Sequence, residues 1–384
     1  MDDRTPTASS ALLDVFHQVE FEPARGEGPY LFTSGGERYL DFYGGHAVAL
    51  LGYGYPRLLA ALEGQSRTLF FQSNLFPLAV RERAAACLAG FGPAGLDRVF
   101  FVNSGAEANE NALRIAFLAT GRRKVVAVEG AFHGRTAAAA AVTWGSEAWY
   151  GFARAPFDVT FVPFDDAGAL ERAVRRDVAA VIVEPVQGVA GARALSRDFL
   201  GTARRLCTER GALLVFDEVQ CGMGRSGRPF VAQAVDITPD LLTTAKGLGG
   251  GFPVGAVMVT EPVGRLVKKG DLGTTFGGGP LAAALVEATI GILEREDLLP
   301  KVRRLSQRLA TEARVGPVTD VQGMGFLLGL RTAPPAKEVL SALRARRILA
   351  GGSADPHVVR LLPPLILEDR HVDELTAALK EIAS

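Results

Sequence analysis

Ala212-Leu-Leu-Val-Phe-Asp217 is a run of five apolar residues closed by a carboxylate. A strand buried on both faces reads this way, and such strands belong to parallel sheets covered by helices. The same form recurs in Val99-Phe-Phe-Val102, Lys124-Val-Val-Ala-Val-Glu129, Val159-Thr-Phe-Val162 and Ala179-Ala-Val-Ile-Val-Glu184. Helical apolar spacing lies between them, from Ala106 to Ala119 and from about Arg197 to Arg210. This alternation predicts an α/β fold built on a mainly parallel sheet. Tyr30 to Phe42 has the strand–turn–strand look of a hairpin. After about Leu281 the pattern changes to long helical stretches, Leu281 to Arg295 and Val302 to Ala313. Glycine-rich turns at Gly323-Met-Gly325 and Gly351-Gly352 follow, then alternating helix and strand, which predicts a smaller α+β domain.

The carboxylate of Asp217 stands where α/β folds place groups that touch ligands, at the C-terminal end of a buried strand. Downstream, Leu242-Thr-Thr-Ala-Lys-Gly-Leu-Gly-Gly-Gly251 carries a lone lysine among small apolar residues. Burial there lowers the pKa of Lys246 toward the range in which a neutral amine is a nucleophile. A desolvated lysine and a buried carboxylate are the two protein groups that pyridoxal phosphate (PLP) most needs, one for a Schiff base and one for the pyridinium nitrogen. Taken singly, each has a plainer reading, as a loop lysine and as a helix cap.

Four glycine-bearing loops compete for an anion. Asn103-Ser-Gly-Ala-Glu-Ala-Asn-Glu110 follows a strand and opens a helix, which suits a phosphate. Ser104 and Glu107 also make it a capping box. Gly222-Met-Gly-Arg-Ser-Gly227 matches G-x-G-x-x-G, but Pro229 interrupts the helix that a dinucleotide fingerprint needs. Gly247 to Gly251 gives the backbone room beside Lys246. Gly273-Thr-Thr-Phe-Gly-Gly-Gly279 offers two hydroxyls on flexible backbone, or a plain turn.

Composition narrows the class. Among 384 residues 48% are hydrophobic, enough for a large core. Lys plus Arg and Asp plus Glu are 42 each, which argues against nucleic acid or a membrane surface as partner. Three cysteines without a C-x-x-C pair give no sign of a disulfide framework or metal site. The Met1-Asp-Asp-Arg terminus lacks the apolar core of a signal peptide, and no apolar run approaches the ~20 residues of a membrane span. The expectation is a cytoplasmic chain.

Ser104 to Glu110, Phe132-His-Gly-Arg-Thr136, Asp217-Glu-Val-Gln220, Ala245 to Gly251 and Thr274-Thr-Phe-Gly-Gly278 occur in one order. In that order they resemble class III PLP-dependent aminotransferases, most of all the acetylornithine aminotransferase group, from about Phe16 to the C-terminus. The resemblance implies the type I fold, with a seven-stranded, mostly parallel sheet in a large domain at 46–285. It implies a small domain at 286–384 joined by an N-terminal segment at 1–45, and a homodimer or larger assembly with sites at the subunit interface. It further implies a ping-pong cycle that carries an ω-amino group from an N-acylated ornithine to 2-oxoglutarate, in arginine or lysine biosynthesis. Lys246 would be the Schiff-base and proton-shuttling lysine, and Asp217 the partner of the ring nitrogen. Gln220 would bond the phenolic oxygen, with Val219 and Phe132 on the two ring faces. Gly105 and Ala106 would hold the phosphate by backbone N–H groups, and Thr275 by its hydroxyl from the partner subunit; Thr274 would lie near substrate. Arg135 and Arg360, in apolar settings, would grip substrate carboxylates, and His133 would support its loop. The competing readings are an aminotransferase for another diamine or ω-amino acid, an aminomutase, a non-catalytic PLP-binding protein and a nicotinamide oxidoreductase.

The chain departs from the family pattern at Glu184-Pro-Val-Gln-Gly-Val-Ala-Gly191, where the family's E-P-x-Q-G-E-x-G has its second glutamate and this sequence has Val189. In related enzymes that glutamate pairs with the equivalent of Arg360. Its loss implies either another carboxylate at Arg360 or a donor that brings its own. Leu272 and Gly279 stand where the family often has histidine and asparagine.

Overall fold

The computed structural model describes residues 11–383; the Met1 terminus, and with it the reading of a missing signal peptide, lies outside them. Seven strands form the central sheet, in the spatial order Arg98–Val102, Gly255–Val259, Leu241–Thr244, Leu213–Asp217, Val178–Val183, Lys124–Val128, Asp158–Val162. Gly255–Val259 runs antiparallel to both neighbours, and the remaining pairings are parallel. The five apolar runs are all strands of this sheet. The two further strands flank the Lys246 stretch; Leu241-Leu-Thr-Thr244 and Gly255-Ala-Val-Met-Val259 are too short or too small in side chain to stand out from their surroundings.

Alternation along each strand divides the core between the two faces of the sheet. Val125, Ala127, Ala180, Ile182 and Val215 pack on one side with Ala108, Ala112, Leu113 and Ala116 of helix Gly105–Thr120. Val126, Val128, Val181, Val183, Leu214 and Phe216 face the other side, with Phe199, Ala203 and Leu206 of helix Arg197–Arg210 and with helix Pro280–Arg295. Caps set the helix ends. Ser104 and Ser196 accept from the amides of Glu107 and Phe199, and Gly121 and Gly211 close the C-termini with φ of 67° and 66°.

The expected hairpin is present as Tyr30–Thr33 and Arg38–Asp41. A further strand, Pro23–Glu27, pairs with the first, and Ile348–Leu349 joins the second in parallel, so one four-stranded sheet ties the N-terminal segment to the C-terminal part. Val318–Met324, Leu327–Thr332 and Val358–Leu361 form a three-stranded antiparallel sheet with helices Leu298–Glu312, Ala336–Ala345 and Asp369–Lys380 around it. Gly351, read as part of a turn, instead pairs with Arg360 across an isolated bridge. Among the described residues no helix is long and apolar enough to cross a membrane.

Candidate active site

Because their strands share a direction, the segments that follow Arg98–Val102, Lys124–Val128, Val178–Val183, Leu213–Asp217 and Leu241–Thr244 emerge along one edge of the sheet, where α/β folds hold ligands. They bring Gly105, Ala106, Phe132, Arg135, Glu184, Asp217, Val219, Gln220 and Lys246 around one cavity of about 410 Å³. Eight of the eleven expected site residues therefore meet in one place.

Asp217 is 3% exposed, and both its oxygens are engaged. Oδ2 accepts from Asn109 Nδ2 at 2.7 Å and lies 2.7 Å from His133 Nδ1; Oδ1 accepts from the amide of Val219 at 3.0 Å. Asn109 also donates to the carbonyl of His133 and accepts from Thr243 Oγ1, each at 2.7 Å. Thr243 is the cross-strand partner of Asp217. These contacts fix the direction of the carboxylate. His133 is thus more than a support for its loop: its ring is buried against Asp217, and its Nε2 has no partner.

Lys246 sits in left-handed backbone (φ 47°), which a β-carbon disfavours, in a short 3₁₀ turn after its strand. Among the described residues its amine makes no hydrogen bond or ion pair. Burial holds its pKa below that of a free lysine, against the opposing pull of Asp217 and Glu184. Glu184 accepts from the amides of Phe132 (2.8 Å) and Gly188 (3.2 Å). Desolvation, and then the charge of Asp217, raise its pKa.

Around this pair the backbone is open. The amides of Gly105 and Ala106 head a sixteen-residue helix, where no intrahelical acceptor reaches them. A Cβ at Gly105 would collide with Val219, so glycine lets the helix N-terminus close on that residue. Gln220 Oε1 is buried without a partner, and Gly188 leaves it its space.

The three remaining expected residues lie outside the cavity lining. Thr275 is exposed, and Thr274 Oγ1 accepts from the amide of Gly277 at 3.1 Å. Arg360 is 6% exposed; its Nε donates to the carbonyl of Gly352 at 2.6 Å, and its Nη1 has no partner. Among the described residues no carboxylate forms an ion pair with it, and the Glu184 carboxylate acts on it only through space. Arg135 is exposed rather than enclosed in an apolar setting, with its guanidinium 4.4 Å from the centroid of the Trp149 ring.

PLP fits what is present: a fixed carboxylate, an amine free to condense, open helix-terminal amides for a phosphate, and an orphan acceptor at Gln220. Phe132 and Val219 supply apolar contacts for a ring. Sequence reasoning missed Asn109 and Thr243. The signal for Asn109 was an amide side chain among Ala108, Ala112, Leu113 and Ala116 on the helix face turned to the core; Thr243 offered none.

The class-III aminotransferase family model matches residues 15–383. The acetylornithine aminotransferase of Mesorhizobium japonicum is 41% identical over 379 residues, covering 96% of this chain and 94% of its own length. That of Methanopyrus kandleri is 41% identical over 381 residues, covering 97% of each. Among solved structures, the N-acetylornithine aminotransferase of Stenotrophomonas maltophilia has a TM-score of 0.81 and 32% identity, covering 95% of each chain. The ornithine aminotransferase of Toxoplasma gondii, described with partial occupancy of PLP at its active site, has a TM-score of 0.89 and 29% identity over 97% of this chain and 91% of its own. A family match over nearly the whole length, on a fold that gathers Lys246 and Asp217 at one cavity, settles the affiliation: this chain belongs to the class-III aminotransferases.

Proposed function

We propose that this enzyme binds PLP in the Lys246 cavity and transfers the ω-amino group of an N-acylated ornithine to 2-oxoglutarate, giving the semialdehyde and glutamate. The juxtaposition of an unpaired Lys246 amine with the buried Asp217–Asn109–His133 network carries the reading of the chemistry. The named activity of the relatives supports the donor.

When bound, PLP supplies an aldehyde that takes up amines and a protonated ring that withdraws electrons from the neighbouring carbon. Asp217 would hold the positive charge on the ring nitrogen, and Asn109 and His133 keep its carboxylate aimed. Lys246, with its lowered pKa, presents a neutral amine more readily than a free lysine. Its Nζ would accept and return a proton during transfer. Gly105 and Ala106 give N–H groups to the phosphate at a helix N-terminus. Gln220 would bond the phenolic oxygen, and Phe132 and Val219 would supply apolar contacts to the ring. Arg135, at the rim, binds the distal carboxylate of each substrate; Arg360 binds the α-carboxylate of glutamate or 2-oxoglutarate.

We also infer a homodimer. Phe70 (68% exposed), Leu75 (82%) and Phe276 (64%) form, with Phe71 and Phe76, an exposed apolar surface beside the site. The cavity beneath it is lined by Phe70, Phe71, Asn103, Phe252, Pro253 and Phe276, sharing three residues with the Lys246 cavity. Monomers rarely leave such a patch open. A second copy on this face would bring exposed Thr275 to its partner's phosphate, with Thr274 close to the substrate.

Glutamate formation from N-acetylornithine and 2-oxoglutarate tests the donor. The proposal expects turnover well above that with ornithine or 4-aminobutyrate. A preference for either of those would replace the donor and leave the aminotransferase chemistry intact.

A further inference from the structure

Arg360 poses a problem that its role as a carboxylate ligand does not solve. It is nearly fully buried, no carboxylate pairs with it among the described residues, and Nη1 is without a partner. Glu184 acts on it only through space, and a guanidinium stripped of water without a hydrogen-bonded counter-ion is costly. On the proposed cycle, moreover, a substrate carboxylate reaches Arg360 only in the half-reaction with glutamate or 2-oxoglutarate. In the donor half-reaction the ω-amine brings none, and the cation is left without a carboxylate on its N–H groups.

Tyr43 lies against it. The Arg360 Cζ is 5.9 Å from the centroid of the Tyr43 ring. The ring takes its place because residue 351 is glycine, and a Cβ there would run into Tyr43 Cε2. Gly351 is in turn bonded to the Arg360 backbone through both its amide (3.0 Å) and its carbonyl (2.7 Å). Asp41 Oδ1 accepts from the Tyr43 amide at 2.7 Å. The hydroxyl of Tyr43 lies 2.5 Å from His46 Nδ1. His46 is turned back onto Tyr43 by a run of left-handed backbone, with φ of 63° at His46 and 71° at Ala47. Non-glycine residues avoid such conformations unless the surroundings hold them. The carbonyl of His46 lies 3.5 Å from Gln220 Nε2, which ties the unit to the PLP cavity.

We propose that Tyr43, steadied by His46, is the neutral partner of Arg360 that lets one arginine serve both half-reactions. An aromatic face attracts a guanidinium without occupying its N–H fork. It screens the cation when no carboxylate is bound and does not compete when one arrives. A resident carboxylate would have to be displaced at that point. Tyr43 is therefore a positioning residue: it touches Arg360, not the reacting atoms. This inference rests on the proposed function for the two half-reactions, but its binding test does not.

The test compares holoenzyme carrying Tyr43→Leu with Tyr43→Phe. Single-turnover absorbance changes are followed separately with N-acetylornithine and with glutamate. Tyr43→Leu is expected to lower the ratio of donor to glutamate rate constants about fivefold, and Tyr43→Phe, which keeps the ring, to hold it within about twofold. Adding Val189→Glu to Tyr43→Leu restores the ratio. As a readout independent of turnover, glutarate raises the melting temperature of Tyr43→Leu by more than it raises that of wild type, because only the variant lacks a partner for Arg360 when the ligand is absent. Equal slowing of both half-reactions by Tyr43→Leu, equal loss of the ratio in Tyr43→Phe, or an equal glutarate shift overturns the inference. If wild type ignores N-acetylornithine while the glutarate shifts still differ, the donor is wrong and the role of Tyr43 stands.

Discussion

At the scale of single residues, the site is a fixed carboxylate facing a movable amine. Replacing Lys246 by Ala removes the nucleophile and the proton carrier together. Turnover is expected to fall by at least about 10³-fold while the melting temperature holds or rises, since a strained backbone position is retained without its buried charge. Steady-state rates and a thermal scan check both halves of that statement. Asn109→Ala acts differently. It takes a donor from Asp217 and a partner from the His133 carbonyl and Thr243, so the fold should lose about 1–3 kcal/mol and PLP should bind about tenfold more weakly. A cofactor titration with unchanged affinity would confine Asn109 to a structural part. Lys246 and Asp217 were legible in the sequence because each is a lone charge in an apolar run. Asn109 and His133 were not, because their function is set by a contact between segments 108 and 84 residues away from Asp217, which no local pattern encodes.

At the scale of elements, burial on both faces is what made the strands readable. Leu113 is fully buried where helix Gly105–Thr120 meets the sheet, and Leu113→Ala should cost about 2–5 kcal/mol in denaturant unfolding. The strands Leu241–Thr244 and Gly255–Val259 escaped because each carries only two or three large apolar residues beside threonine or glycine-rich sequence; their place is dictated by neighbours in the sheet. One buried carboxylate belongs to this scale. Glu218 accepts from the amides of Val231 (2.6 Å) and Ala232 (2.8 Å) at the start of helix Val231–Val235. Burial pushes its pKa from 4.5 to about 7. The folded state therefore holds the proton longer than the unfolded chain, and stability falls as pH rises from 4.5 to about 7. Above that window the group is ionised in both states and the penalty is complete. Glu218→Gln should flatten the decline in melting temperature over this range. An unchanged slope would show that Glu218 does not titrate there.

At the scale of the whole molecule, residues 23–41 share a sheet with Ile348–Leu349, and an exposed aromatic face lies beside the cavity, where we place a second copy. Its extent was not legible as a surface in the sequence, since Phe276 lies about 200 residues from the stretch Phe70 to Phe76 and meets it only in the fold. Phe276→Asp should convert a dimer to monomer in sedimentation and weaken PLP binding, because Thr275 then serves no neighbouring phosphate. A variant that stays dimeric would move the interface elsewhere. The central claim is that Lys246 is the amine that binds PLP, and reductive trapping tests it most directly. Wild-type protein is saturated with PLP, treated with borohydride, digested and mapped by mass spectrometry. Of the seven lysines in the chain, the account predicts stable modification at Lys246, abolished when N-acetylornithine is added first. Modification at another lysine, or none, would contradict it.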